Sequence, residues 1–293
     1  MTKARTRISS ISTTRTSKTS RILTILSMRA KSLKPELTYY DIAEGVTAFS
    51  STRHGGYSEG PHGEFNVNLY CGDDPETIAA NRKALCKLLK IKDDRLVMPH
   101  QVHTTGIAQI GRTFFRLSAD VRQQVLEGID ALMTNIPGVC IGVSTADCIP
   151  IILYDPEHRA ASVVHSGWRG TVANIAGVAV TSMQRAYHTR PEVLKAVIGP
   201  GISLENFEVG DEVYDQFAAA GYPMAEIARR YEKWHIDLWQ CCRLQLEAVG
   251  LKPEHIEVAG ICTYDRCDDY FSARRLGVES GRILTAIMIR ESK

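Results

Sequence analysis

Four short apolar runs lie close together in the middle of the chain, and they constrain its fold more than any other feature. They occupy residues 131–134, 139–143, 149–154 and 160–164. Runs of four to six apolar residues bounded by turn residues are typical of buried β-strands. Asp155-Pro156-Glu157-His158 separates the last two runs and predicts a hairpin or tight connection there. A β-rich core is therefore expected.

Helical patterns surround this core. The acidic pair and proline of Asp73-Asp74-Pro75 predict the start of a helix. Other helices are predicted over 171–187, 211–220 and 238–249, other strands over 46–50, 96–98, 106–110, 193–198, 257–261 and 283–289, and an insertion over 114–128. Strands and helices do not alternate regularly, and no Gly-x-Gly-x-x-Gly turn follows a strand. We therefore expect an α/β (α+β) protein with a mixed sheet, rather than a doubly wound dinucleotide fold.

Charge is distributed unevenly along the chain. The net charge is +2, but residues 1–34 hold nine Lys or Arg and no Asp or Glu, so the remainder carries −7. The body therefore shows no basic stripe, and no nucleic-acid partner is expected. No apolar stretch approaches the length of a transmembrane helix, and no membrane association is expected.

The basic segment 1–34 is rich in Ser and Thr, and it lacks the apolar run of a signal peptide because 22–26 is too short. Its composition also fits a transit peptide. We favour a disordered tail without function, or a start misassigned upstream of Met28. Residues 35–293 are expected to form one catalytic domain. Without a secretory signal, we expect a cytoplasmic protein whose eight cysteines are mostly reduced.

Two signatures contain residues with catalytic or metal-binding side chains. Gln101-Val102-His103 is the first. The second begins with residues 144–150, which contain Cys148, and continues 17 residues after Cys148 with residues 165–171, where His165 ends a predicted strand before Gly167. One thiol and two imidazoles are three of the four ligands that a catalytic zinc normally takes. Copper binds the same donors, and Cys148 with His165 could instead form a nucleophile and its base. His100 is the nearest alternative ligand, but in an extended segment it points away from His103.

Three arginines are candidates for anion binding. Arg53, Arg169 and Arg274 each lie in or beside a turn containing Gly, Ser or Thr. A guanidinium group presents a fork that matches phosphate oxygens, although surface ion pairing is the commoner role of a single arginine. Asn66 is a candidate for contact with a base or ribose.

The ordered motifs from about residue 46 to 290 resemble the YfiH family, also called the laccase-domain or multicopper polyphenol oxidase family and now the purine nucleoside phosphorylase family. The matching motifs include Ser51-Thr52-Arg53-His54-Gly55-Gly56, Gln101-Val102-His103, Asp130-Ala131-Leu132, Thr145-Ala146-Asp147-Cys148 and His165-Ser166-Gly167-Trp168-Arg169-Gly170-Thr171. The resemblance implies a layered α/β/β/α sandwich like that of cytotoxic necrotizing factor deamidases. It also implies zinc held by His103, Cys148 and His165.

The resemblance further implies an activity and its partners. Adenosine, inosine, guanosine and methylthioadenosine would react with phosphate to give a free base and ribose 1-phosphate, and adenosine would also be deaminated. A monomer or homodimer is expected. The chain departs from the family pattern in two places within the matched region: residues 111–128 are longer than the usual connection, and Tyr70 stands where several relatives carry His. The basic tail has no family counterpart.

Three other functions remain open. A cysteine hydrolase or deamidase would use Cys148 as nucleophile and His165 as base. A copper-dependent polyphenol oxidase (laccase) normally needs several copper centres rich in histidine, and this chain has nine His in all. A noncatalytic partner in a cell-wall or division pathway is the third.

Overall fold

The computed structural model describes residues 33–291. Its strands are β1 (Leu37–Tyr40), β2 (Val46–Ser51), β3 (Leu96–Val97), β4 (Ile107–Gln109), β5 (Ala131–Thr134), β6 (Cys140–Thr145), β7 (Ile149–Asp155), β8 (Ala160–Ser166), β9 (Lys195–Ile198), β10 (Glu208–Val209), β11 (Ala228–Arg230), β12 (Trp234–Ile236), β13 (Ile256–Val258) and β14 (Ile283–Ile289). Its helices are α1 (Pro75–Leu89), α2 (Ala119–Leu126), α3 (Trp168–Val172), α4 (Ile175–Tyr187), α5 (Asp211–Ala219), α6 (Met224–Ile227), α7 (Leu238–Ala248) and α8 (Ala273–Leu276).

Two large mixed sheets form the centre of the fold. The first has the strand order β1-β2-β14-β6-β3, in which β3 and β6 are parallel. The second has the order β13-β9-β7-β8-β5-β4, in which β13 with β9 and β4 with β5 are parallel pairs. The predicted hairpin is confirmed: β7 and β8 pair antiparallel from Ile149↔Ser166 to Asp155↔Ala160. A small third sheet contains β10, β12 and β11.

The two large sheets pack face to face, and helices cover their outer faces. Successive side chains of a β-strand point to opposite faces of its sheet. Ile152 joins the cluster between the sheets, whereas Ile151 joins the cluster under α4 and α7. On the other side, Phe49 of β2 packs with Leu85 of α1. The order is therefore helix, sheet, sheet, helix, and the expected α/β/β/α sandwich is confirmed.

The central strands agree with the sequence-based prediction because they are buried on both faces of their sheets. Every residue of β6, β7, β8 and β14 is buried, so these strands are largely apolar along their length and do not alternate with exposed polar residues. The exposed or very short elements β1, β10, β11, β12, α6 and α8 were missed. They lack a run long enough to show a period.

The predicted helix over 171–187 is wrong in one respect, because two helices occupy this region. The chain breaks at Asn174, whose φ of 59° is left-handed, and Gly177 lies inside α4. The predicted strands 193–198 and 257–261 are shorter than expected, at Lys195–Ile198 and Ile256–Val258. The insertion contains a 3-10 turn at Phe114–Arg116 followed by α2.

Three further expectations concern the basic tail, membrane association and the cysteines. The basic tail predicted for 1–34 lies almost entirely outside the described residues, and the described residues 33–291 all fall in one compact unit. The division into a tail and one catalytic domain stays a prediction. Among the described helices, we find none with the length and apolar character that crossing a bilayer requires. All eight cysteines are described, and each has a free thiol.

Candidate metal centre

Three predicted side chains meet where the second sheet ends. His103 lies on the turn between β3 and β4, Cys148 lies between β6 and β7, and His165 is on β8. Their ligand atoms all lie within 4.8 Å of one another, and Cys148 Sγ is 3.7 Å from His103 Nε2. His165 is buried, Cys148 is half-buried and His103 is exposed. The group is therefore reached from solvent on the His103 side.

Asp130, which was not predicted as a site residue, organises two of these three side chains. Its Oδ1 accepts a hydrogen bond from Nδ1 of His165 at 2.7 Å and another from the backbone N–H of His103 at 3.0 Å. Its Oδ2 accepts from the backbone N–H and the hydroxyl of Thr104, at 2.8 and 2.9 Å. Because Nδ1 of His165 is engaged in this way, its Nε2 is left for a metal.

The backbone at His103 is held in a conformation that few residues adopt. Its φ is 63°, in the left-handed region that most side chains avoid. Gln101 anchors the same turn to β6: its amide nitrogen donates to Ser144 O at 2.8 Å, and its amide oxygen accepts from Ser144 N at 2.7 Å. Asp130 and Gln101 therefore both anchor the turn and offset the cost of this backbone geometry.

His100 does not join the group. Its Nδ1 lies 2.6 Å from Glu127 Oε1, and its ring stacks on Tyr70 with centroids 3.9 Å apart. The expectation that only one of His100 and His103 reaches the site is therefore met, although the left-handed φ of His103 shows that the segment is not simply extended.

Gly167 is a second residue of the site that the sequence alone does not predict. A Cβ atom at this position would lie 2.5 Å from Cδ2 of His103 and 3.2 Å from Cys148 Sγ. Real Cβ atoms do not approach other atoms to 2.5 Å, so the close approach of the turn between β8 and α3 to the His103 ring requires glycine here. The available signal was a glycine two residues after a strand-ending histidine.

The charges within the group favour an ionised thiol. Burial opposes ionisation of Cys148, but neighbouring His165 and the hydrogen bond with His103 outweigh it and lower the thiol pKa to about 6. Burial also opposes protonation of His165, yet the Cys148 thiolate and the Asp130 hydrogen bond raise its pKa to about 9. Burial favours neutral Asp130 as well, but His165 and Thr104 hold its pKa below the usual value. A cation replacing the His165 proton would meet a thiolate already formed.

The three donors fit a tetrahedral metal. Zinc bonds of about 2.3 Å to sulfur and about 2.0 Å to nitrogen, at tetrahedral angles, would separate the two donors by roughly 3.5 Å. The Cys148 Sγ to His103 Nε2 distance of 3.7 Å agrees with this separation. Three protein ligands leave a fourth position for water or substrate. Within residues 33–291, this is the one group of His, Cys, Asp or Glu side chains arranged to hold a metal ion.

Asp147 connects the Cys148 turn to later parts of the chain. Its φ of 90° shows that the turn is not an extended strand. Its Oδ1 accepts from the Thr263 hydroxyl and its Oδ2 from the backbone N–H of Arg274, both at 2.7 Å. The carboxylate therefore supports the position of Cys148 through contacts with two other loops.

Two of the predicted substrate-binding residues make internal contacts. Arg53 donates to the carbonyl oxygens of Gly63 and Cys267 at 3.0 and 2.8 Å. Asn66 is fully buried, and its amide contacts Asp73 Oδ2 at 2.8 Å. Both side chains hold loops together in this structure, and their assignment to substrate binding stays a prediction.

The other two predicted substrate-binding residues are exposed. Arg169 lies on α3, four residues after His165, and its guanidinium is 4.2 Å from the centre of the Trp168 ring. Among the described residues, no carboxylate forms an ion pair with it. Arg274 donates to Glu208 O at 3.1 and 3.2 Å. Arg169 is therefore the more available of the two for an anionic ligand.

Comparisons with known proteins show which family this chain resembles and which fold it shares. The family model described as multi-copper polyphenol oxidoreductase laccase matches residues 47–290. A purine nucleoside phosphorylase from Bacteroides thetaiotaomicron is 44% identical over 249 residues, which are 84% of this chain and 92% of that protein. Adenosine deaminase RL5, from an unknown prokaryotic organism, is 40% identical over 257 residues, covering 86% and 97%.

A solved structure shows the same fold. The crystal structure of the hypothetical protein YfiH from Bacillus licheniformis superimposes with a TM-score of 0.82 at 28% identity, covering 87% of this chain and 97% of that one. The match to the family model includes the whole second sheet, the first sheet apart from β1 and the start of β2, and all three clustered side chains. The chain therefore belongs to the laccase-like multi-copper polyphenol oxidoreductase family, which contains the YfiH proteins.

Proposed function

We propose that this protein is a zinc-dependent purine nucleoside phosphorylase that also deaminates adenosine. The observation that carries the proposal is the cluster of His103, Cys148 and His165, held by Asp130, in a chain 44% identical to a protein named for phosphorolysis and 40% identical to one named for deamination. Its substrates would be adenosine, inosine, guanosine and methylthioadenosine, with phosphate as the second reactant.

The residues present suit both reactions. Zinc held by the three side chains would supply a Lewis acid beside the purine. Asp130 keeps the His165 ring in one orientation, and Gly167 leaves room for the His103 ring. In phosphorolysis the ribosyl carbon becomes cationic as the base leaves, and phosphate must approach from the opposite face. Arg169 is our first candidate for holding that phosphate, with Arg53 and Arg274 as further candidates.

A base-release assay tests the proposal. Zinc-loaded protein is incubated with inosine or adenosine, with and without phosphate, beside Cys148→Ala. Cys267→Ala is the matched control, because Cys267 is also half-buried and lies outside the cluster. We expect phosphate-dependent release of base and ribose 1-phosphate that is lost in Cys148→Ala and kept in Cys267→Ala. Zinc-loaded protein that releases no base, no ammonia and no ribose 1-phosphate would overturn the proposal.

One observation favours a second function, that of a cysteine hydrolase or deamidase. Asp130 orients His165, and His165 lies beside a Cys148 thiol with a lowered pKa, which is the order of groups in a nucleophilic triad. Such an enzyme would work without metal and would be inactivated by alkylation of Cys148. Hydrolase or deamidase activity that is fully retained after complete metal removal would favour this function over that of a phosphorylase.

A copper-dependent polyphenol oxidase is less well supported. It would need several metal centres, whereas the described part of the chain arranges one group of side chains for a metal. The cytoplasmic location, the monomeric or homodimeric state and the absence of a nucleic-acid partner stay predictions.

A further inference from the structure

The two departures from the family pattern line the same cavity. A cavity of about 450 Å³ lies between the insertion and the edge of the first sheet at β3. Leu69, Tyr70 and Arg82 line it from one side, and Ala119, Arg122 and Leu126 of α2 line it from the other. We name it the insertion pocket. Its volume is within the range of pockets that hold small organic ligands.

The insertion pocket is separate from the metal centre but close to it. His103, Cys148 and His165 do not line it, whereas Met98 does. Five peptide bonds connect Met98 to His103, so the two Cα atoms are no more than about 18 Å apart. His100, between them, stacks on Tyr70. A ligand in the pocket would therefore contact the segment that carries a metal ligand.

Tyr70 offers a flat surface for stacking. Its ring packs on His100 with centroids 3.9 Å apart and planes inclined by 23°, and 47% of the residue is still exposed. The His100 ring is itself held by Glu127 at 2.6 Å. An aromatic ring with a fixed partner behind it and open surface in front is suited to a planar, aromatic ligand.

Arg82 has hydrogen-bonding capacity to spare. Its terminal nitrogens reach the carbonyl oxygens of Val67 and Leu96 at 3.5 and 3.4 Å, which are long hydrogen bonds. None of the ion pairs among the described residues includes Arg82. A guanidinium has five N–H donors, and its fork suits two acceptors in one plane. O6 and N7 of a 6-oxopurine form such a pair, whereas a 6-aminopurine presents a donor beside N7.

The balance of charge argues for a neutral ligand. Arg82 and Arg122 line the pocket together with Asp93 and Asp94, so the formal charges cancel. A phosphate would fit the arginine fork but would be repelled by the two carboxylates. A neutral 6-oxopurine also carries an N1–H group, which a carboxylate can accept.

We propose that the insertion pocket binds a free 6-oxopurine base, stacked on Tyr70 and hydrogen-bonded to Arg82. The assignment rests on the chemistry of the pocket and does not require the reaction proposed above. If that reaction holds, the ligand is the base released from inosine or guanosine, and the pocket retains product beside the metal centre.

The proposal is tested by calorimetric titration of the full-length, zinc-loaded protein with hypoxanthine and with adenine. The titrations are made in phosphate-free buffer, and the bases are recovered afterwards and checked by chromatography. We expect hypoxanthine to bind at least about tenfold more tightly than adenine. Tyr70→Ala should weaken hypoxanthine binding about tenfold or more, as loss of base stacking does elsewhere. Ala119→Trp, which fills the pocket from an exposed position on α2, should abolish it.

Two further variants locate the bound base. Tyr231→Ala is the matched control, because Tyr231 is also exposed and its ring also contacts a histidine, His235, away from the pocket. It should bind hypoxanthine as the unaltered protein does. Cys148→Ala should also retain binding, even if it has lost all activity. Equal affinity for adenine, binding unaffected by Tyr70→Ala and Ala119→Trp, or binding lost in Cys148→Ala would each overturn the proposal.

Discussion

Oδ1 of Asp130 lies 2.7 Å from Nδ1 of His165 and 3.0 Å from the backbone nitrogen of His103. One carboxylate oxygen therefore controls both histidines of the candidate metal centre, although they are far apart in sequence. It fixes the ring of one histidine and the backbone of the other. Since Asp130 is completely buried, water cannot replace these hydrogen bonds at low cost.

Asp130→Asn should therefore weaken zinc binding by about 10- to 100-fold, the usual effect of losing a carboxylate behind a histidine ligand. The measurement is competition with a chelator of known affinity. Asp155→Asn is a matched control, since Asp155 is also fully buried and contacts a histidine, His158, outside the site. It should lower the free energy of unfolding and leave zinc affinity unchanged. Equal zinc affinity in Asp130→Asn and the unaltered protein would contradict the role of Asp130.

Alkylation of Cys148 in the metal-free protein should depend on pH with a midpoint near 6. The Cys148 pKa is lowered to about 6, so the reactive thiolate is present above that pH and is lost as pH falls through it. Mass spectrometry of iodoacetamide-treated protein would follow the Cys148 and Cys267 peptides together. A midpoint near that of an ordinary thiol, about 8.5, would show that His165 and His103 do not stabilise the thiolate. Zinc should protect Cys148 from alkylation at neutral pH and above, and should protect it less as pH falls, because protons compete for the ligand atoms.

Gly167→Ala should lower zinc affinity at least about tenfold, because the added methyl group would occupy space taken by the His103 ring. Gly111→Ala is the matched control, since no atom lies within 4 Å of a Cβ built there and its φ lies outside the left-handed region. Zinc content and thermal unfolding would be measured for both. An unchanged zinc affinity in a folded Gly167→Ala protein would mean that the His103 ring can move aside without cost.

Arg169→Ala should raise the KM for phosphate more than the KM for the nucleoside, by roughly 10-fold or more, if its guanidinium holds the phosphate. Steady-state kinetics with each reactant varied in turn would measure both constants. Arg230→Ala is the matched control because Arg230 is also an exposed arginine stacked on a tryptophan, Trp234. A larger effect on the nucleoside KM than on the phosphate KM would reject a phosphate role for Arg169.

The predicted strands and helices follow from local hydrophobic patterns, and their agreement with the structure depends on burial. Strands buried on both faces, such as β7 and β8, were predicted almost to their ends. Short or exposed elements were missed because propensity over three residues is weak and tertiary contacts decide the outcome. The break at Asn174 was missed for a similar reason. One residue with a left-handed φ does not change the spacing of apolar residues from which a helix is predicted.

The candidate site was partly visible in the sequence. The sequence predicts His103, Cys148 and His165 because thiol and imidazole groups bind metals and because each lies near a strand end or turn. It does not identify Asp130 or Gly167 as site residues. An aspartate before a strand and a glycine after one are common, and nothing local shows that each will face an imidazole ring.

The sequence by itself determined the kinds of element, the buried strands and the donors available to a metal. These depend on side-chain chemistry and on periods that extend over a few residues. Only the tertiary structure decided that His103, Cys148 and His165 meet, that one Asp130 oxygen serves two of them, and that the insertion closes a pocket against Tyr70. Those distances arise when two sheets pack face to face and bring remote turns together, which no local pattern records.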